Sequence, residues 1–93
     1  MNVSLDSAAK PVIRSGFRLQ WEVAQNAHVL LYPEGMVKLN SSAGEILRRC
    51  DGERTLQEII EDLQRTYGAI DLSNDVNAFV SWALAKQWLE MRA

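Results

Sequence analysis

The chain has 93 residues, 47% of them hydrophobic, and ten Lys and Arg against twelve Asp and Glu give a formal charge of -2. That is one domain's worth of chain with material for one core; it excludes a disordered polymer and argues against a general polyanion binder. The single cysteine, Cys50, excludes an internal disulfide framework, and no apolar run reaches the roughly 18 residues that a membrane helix needs.

Residues 1–12 are small, polar and aperiodic, and read as a flexible tail, at most an extended arm. Residues 13–93 are expected to form the single folded domain. The start lacks the basic cluster and apolar block of a signal peptide, so a cytoplasmic protein is expected. In "GFRLQWEV", Phe17, Leu19, Trp21 and Val23 face one way and Arg18, Gln20 and Glu22 the other. That alternation predicts a half-buried strand. "HVLLY" is almost unbroken apolar sequence, as a central strand requires. "PEG" supplies a turn and "MVKL" a short third strand. Consecutive strands usually neighbour each other, so a three-stranded antiparallel meander is predicted.

Three helices follow. Ser42 and Glu45 fit a capping box, and Asp51-Gly52 is expected to close that helix. Ala43, Ile46, Leu47 and Cys50 form its apolar side. Thr55 and Glu58 make a second capping box. Leu56, Ile59, Ile60 and Leu63 then recur at helical spacing, and Gly68 ends the run. Ser73 or Asn74 is expected to cap the third helix. Its stripe of Val76, Phe79, Val80, Ala83 and Leu84 is widened by Trp82. The tail "WLEMRA" either extends that helix or turns back as a short strand. Three strands before three helices predict an α+β, winged-helix-like domain, with the helices on one face of the sheet.

Catalytic chemistry finds little support. The one histidine, His28, has no partner at a metal or nucleophile spacing and reads as a structural residue. Cys50 lacks a CxxC partner and reads as a buried packing residue. Glu58, Glu61 and Asp62 crowd one helix, which on an amphipathic helix is ordinarily a solvated face. There is no glycine-rich phosphate loop. No catalytic residue, metal or cofactor is therefore assigned. Arg48, Arg49, Arg54 and Arg65 read as exposed charges that confer solubility, with steering of a partner as the functional alternative. DNA binding by the helix-turn-helix-like half is weakened by charge. Helix 2 sets Glu58, Glu61 and Asp62 against Arg65 alone, and helix 3 sets Asp75 against Lys86.

Strand edges say more. The third strand is an edge of the meander and carries only Lys38 to blunt it. Helix 3 offers a broad apolar face with few charges. If the two lie side by side they frame an apolar groove with unpaired backbone on one wall, where an extended peptide adds a fourth strand. The plain alternative is that helix 3 or "WLEM" fills that space.

"FRLQWE", "LLYPEGMVKLN", "SAGEIL", "CDGERTLQEI", Tyr67 and the "DV" opening helix 3 together resemble the PqqD family of pyrroloquinoline quinone (PQQ) biosynthesis. The resemblance runs from about Pro11 to Leu89. One departure stands at the end, where Gln87 precedes Trp88-Leu89 and the family often has glycine. The resemblance implies a precursor-peptide recognition element of the kind used for ribosomally made, modified peptides. It implies a chaperone that binds the PQQ precursor peptide and presents it to a radical S-adenosylmethionine (SAM) enzyme for Glu–Tyr cross-linking. The peptide then lies between the third strand and the third helix. Met36, Val37, Lys38 and Leu39 are the expected strand wall. Val76, Phe79, Val80 and Ala83 are the expected helix wall, with Trp82 at its flank. Core packing is the competing reading for each apolar one. Proline at Val37 is the test the sequence suggests. A monomer is the expected working form, with strand exchange between copies the form to look for at high concentration. The alternative function is a winged-helix DNA-binding regulator, which steep salt dependence would reveal.

Overall fold

The computed structural model describes residues 5–92, in the order β1 (Lys10–Ile13), β2 (Arg18–Glu22), β3 (Ala27–Tyr32), β4 (Gly35–Lys38), α1 (Ser41–Leu47), α2 (Leu56–Tyr67), α3 (Ser73–Ala85) and β5 (Leu89–Arg92). It is an α+β fold. Strands β2, β3 and β4 form the antiparallel meander that alternation and the Pro33-Glu34 turn predict. The apolar run takes the centre, with Val29 and Leu30 fully buried.

The register decides which backbone groups face outward. Tyr32 pairs with Gly35 across the two-residue turn, and Leu39 N–H donates to the His28 carbonyl at 3.0 Å. Hydrogen-bonded pairs alternate along an antiparallel ladder, so they fall at Tyr32–Gly35, Leu30–Val37 and His28–Leu39. The backbone of Val37 is thus taken up by β3. Met36 and Lys38 turn their N–H and C=O groups to the outer edge, where no strand pairs with them among the described residues.

A second, two-stranded sheet joins β1 to β5, Lys10 opposite Arg92 and Ile13 opposite Leu89. So "WLEM" turns back as a strand, and the segment read as a tail contains one from Lys10 onward. Residues 1–4 of that tail lie outside the described residues. The physical reason is a helix end. The N–H groups of Leu56 and Gln57, which have no acceptor within α2, donate to the carbonyls of Ala9 and Ser7. Glu58 N–H donates to the Thr55 hydroxyl, whose own N–H donates to the Glu58 carboxylate, completing the predicted capping box. The arm therefore docks because it supplies oxygens that α2 lacks. Gly52 closes the same corner. At φ 78° its N–H donates to the Pro11 carbonyl, and a side chain there would meet Arg92 and Val12.

Three predicted caps are corrected. Asn40, not Ser42, caps α1: its side chain accepts from Ala43 N–H at 2.8 Å. The chain is still extended at Asn40, so its side chain rather than the next serine reaches the first turn. The helix also ends at Leu47, before Asp51-Gly52, and Asp51 instead accepts from the N–H groups of Glu53 and Arg54. Helix α3 begins at Ser73, so Ser73 and Asn74 lie inside its first turn, and Leu72 at the cap position offers no side-chain hydrogen bond in place of the expected one. Gly68 ends α2 in the left-handed region as expected, at φ 65°. The predicted stripes of α1 and α2 are buried throughout. With Leu30, Leu39, Val76, Val80, Ala83 and Leu89 they make one core. No helix of the described residues is long and apolar enough to cross a membrane.

The chain reverses after α3 through Gln87, a non-glycine residue at φ 64°. That conformation costs an L residue roughly 1–2 kcal/mol, part of which glycine returns by its looser unfolded chain. Gln87→Gly is expected to raise stability by roughly 0.5–1 kcal/mol in a urea titration. A loss would show that the Gln87 side chain is itself stabilising.

Candidate functional site

Helix α3 lies beside the free edge of β4, and a groove of about 370 Å³ runs between them. Val37, Lys38 and Leu39 form its strand wall, Phe79 and Trp82 its helix wall, and Ala43 and Ile46 of α1 close the floor. The aromatic groups brace one another. Phe79 and Trp82 ring centres are 5.9 Å apart, and Trp82 meets Trp88 edge-on at 4.8 Å. The Lys86 ammonium lies 5.3 Å over the Trp82 ring. Trp82 is still 47% exposed, so the groove presents a large unburied aromatic surface.

The expected site residues divide by helix geometry. Val76, Val80 and Ala83 recur at core spacing and are buried, Val80 and Ala83 completely. They carry the helix from behind and do not line the groove. Phe79 and Trp82 lie one step around the helix and face β4. Met36 is half exposed and lies outside the groove lining, although its backbone shares the open edge. Asn40, Ser42, Asp75 and Trp88 also line the groove and carry no sequence signal for it. Trp88 arrives only because the chain reverses at Gln87.

The other polar residues are engaged in structure. His28 packs edge-on against Trp21 at 5.0 Å and beneath Gly44 of α1. A Cβ at Gly44 would come within 2.7 Å of its ring, so glycine permits the close approach of helix and sheet. Cys50 is buried and donates to the Ile46 carbonyl, and burial pushes its thiol up to about 12. It is a poor nucleophile. Arg49 corrects the reading of exposed charge, being only 3% exposed. Its guanidinium binds Asp62 at 2.6 Å, and the Glu45 carboxylate and carbonyl at 2.9 and 2.8 Å. It ties α1 to α2.

An open strand edge beside an apolar helix wall is the architecture of domains that take an extended segment as an added strand. The family follows from comparison with known proteins. The family profile of coenzyme PQQ synthesis protein D (PqqD) matches residues 27–89. A Stutzerimonas stutzeri protein named PqqA binding protein is 51% identical over 83 residues, 88% of this chain and 90% of its own. One of the same name from Pseudomonas aeruginosa is 49% identical over 90 residues, 96% of each chain. The solution structure of the PqqD part of Methylobacterium extorquens PqqCD, described as a functional, stand-alone recognition element for ribosomally synthesised, modified peptides, superposes with a TM-score of 0.70. It is 28% identical and covers 94% of this chain and 95% of its own. The chain belongs to the PqqD family.

Proposed function

We propose that this protein is the peptide chaperone of PQQ biosynthesis, binding the ribosomal precursor peptide PqqA as an added strand on β4 and presenting it to a radical SAM enzyme for Glu–Tyr cross-linking. The observation that carries the reading is the open backbone of Met36 and Lys38 beside Phe79 and Trp82. The name of the relatives supports the ligand. Main-chain hydrogen bonds hold the peptide, and side chains on its inner face enter the groove between Val37 and Leu39 and the two aromatic residues. Val76, Val80 and Ala83 keep the helix wall in place.

In this reading the protein is a cytoplasmic, non-catalytic carrier that works as a monomer. The radical chemistry belongs to the partner. The carrier's contribution is to order a disordered peptide before the enzyme meets it and to raise the local concentration of its reacting segment.

The test is an amide NMR titration with synthetic PqqA. Shifts are expected to concentrate at Met36–Leu39 and along Phe79–Trp82. A folded protein whose amides there do not respond to saturating peptide would refute the proposed groove.

A further inference from the structure

A second cavity, of about 320 Å³, opens beyond the groove. The first turn of α1, the end of α2 and the loop into α3 enclose it, and Ile46, Leu63, Leu72 and Val76 make its apolar lining. It is continuous with the groove: Ser42, Ile46 and Asp75 line both. The saddle falls where β4 gives way to α1, with Asn40 on the groove side and Ser41 on the cavity side. The shared residues lie just past the end of β4, where a chain paired along that strand would leave it.

Two features match this cavity to a peptide rather than to water. Apolar side chains stand uncovered around it, Tyr67 on its lining and Ile70 in the adjoining loop, the latter 97% exposed. Among the described residues Asp75, on the saddle, has no ion-pair partner. Glu45 on the opposite lip is held by Arg48 and Arg49. The crossing point thus carries one carboxylate without an ion-pair partner, in the first turn of α3 and between two apolar hollows.

We propose that this cavity is a second anchor site for the same peptide, an inference that rests on strand addition at β4. It receives one apolar side chain of leucine to aromatic size, and Asp75 pairs with a basic residue between that anchor and the strand-paired segment. Burial of the apolar group supplies affinity, and the charge at the saddle sets direction and register. A carrier with two anchors grips a longer stretch of leader than β4 alone, and it distinguishes peptides that share the paired segment but lack the distal pair.

The test is a set of binding titrations with synthetic PqqA. Ala69→Trp fills the cavity from its loop, Asp75→Asn removes the charge, and Lys38→Pro interrupts the strand edge. Ala69→Trp is expected to weaken binding about tenfold, the loss of one buried anchor. Asp75→Asn is expected to weaken it about threefold, with the difference shrinking in high salt. In an alanine scan of the peptide, one apolar residue outside the paired segment should matter to the native protein but not to Ala69→Trp. One basic residue should behave likewise toward Asp75→Asn. If both cavity variants bind within about twofold of native while Lys38→Pro binds weakly, the second anchor is refuted and strand addition stands. If Lys38→Pro also binds like native, both fall. If Ala69→Trp alters the sedimentation mass of the free protein but not its peptide affinity, the cavity serves a second copy of the chain and the proposal is overturned.

Discussion

Replacing Lys38 by proline is expected to weaken PqqA binding about thirtyfold while the domain stays folded. The Lys38 N–H points away from β3, so its loss leaves the internal ladder intact, and edge strands tolerate proline. The peptide loses one main-chain hydrogen bond and meets the pyrrolidine ring where its own backbone must approach. Val37→Pro should behave in the opposite way. The Val37 N–H belongs to the pair with Leu30 inside the sheet. Removing it strands a buried carbonyl, at a cost of about 1–3 kcal/mol of stability. The position that the sequence suggests for a proline test therefore damages the fold, and its neighbour tests the site. Lys38→Ala separates backbone from charge, keeping the N–H and binding within about threefold of native. Calorimetric titration with parallel thermal melts measures all three. Native affinity in a folded Lys38→Pro variant would refute strand addition at this edge.

The second large effect concerns the link between α1 and α2. Arg49→Met is expected to destabilise the domain by about 3 kcal/mol in urea titration near pH 7. The substitution keeps much of the buried stem but leaves Glu45 and Asp62 without the guanidinium between them. Arg49→Lys should recover only part of the loss, because one ammonium does not span both carboxylates as the planar fork does. Acid has a related effect on the native protein. The Arg49 hydrogen bond, aided by Arg48, lowers Glu45 from 4.5 to about 2. A depressed folded pKa contributes stability that is complete above about 4.5 and lost as pH falls toward about 2. A shift of this size is worth up to about 3 kcal/mol, and solvent at the partly exposed carboxylate reduces it to about 2 kcal/mol. Asp62 is lowered by Arg49 and Arg65 and acts in the same direction. Stability should therefore fall between about pH 4.5 and pH 2 in the native protein and fall less steeply in Arg49→Met. Parallel slopes would assign the acid sensitivity to other carboxylates.

Much of the architecture is legible in local patterns. Alternation from Phe17, the apolar run of β3 and the turn at Pro33-Glu34 specify the meander, because period and turn chemistry are properties of neighbouring residues. The pattern overreaches at its end: β2 stops at Glu22, Val23 turns away in a 3-10 turn and is exposed, and Trp21 is half exposed. The Thr55–Glu58 box and Gly68 mark the two ends of α2 for the same reason. The free edge of β4 follows from counting strands, and the apolar breadth of α3 from spacing. Together they point to a groove on the condition that α3 lies along β4, which residue spacing alone does not fix.

What sequence reading misses depends on partners distant in the chain. β1, Lys-Pro-Val-Ile, is too short to show a strand period after a polar leader, and it becomes a strand because β5 pairs with it and the start of α2 needs the carbonyls of Ser7 and Ala9. Arg49 looks like a surface charge until Asp62, thirteen residues away, closes around it. Val76, Val80 and Ala83 share a stripe with Phe79, and only the packing of α3 against the core and β4 divides buried support from open wall.

The sequence by itself determined the three-stranded meander, the three helices, the exposed strand edge and the family resemblance, since these reside in residue type and short-range spacing. Tertiary structure alone decided which backbone groups of β4 face outward, which side of α3 lines the groove, and that a second cavity continues from it. Those are matters of register and rotation. A shift of one residue along a strand, or of about 100° around a helix, exchanges inside for outside without altering the local pattern that produced the element.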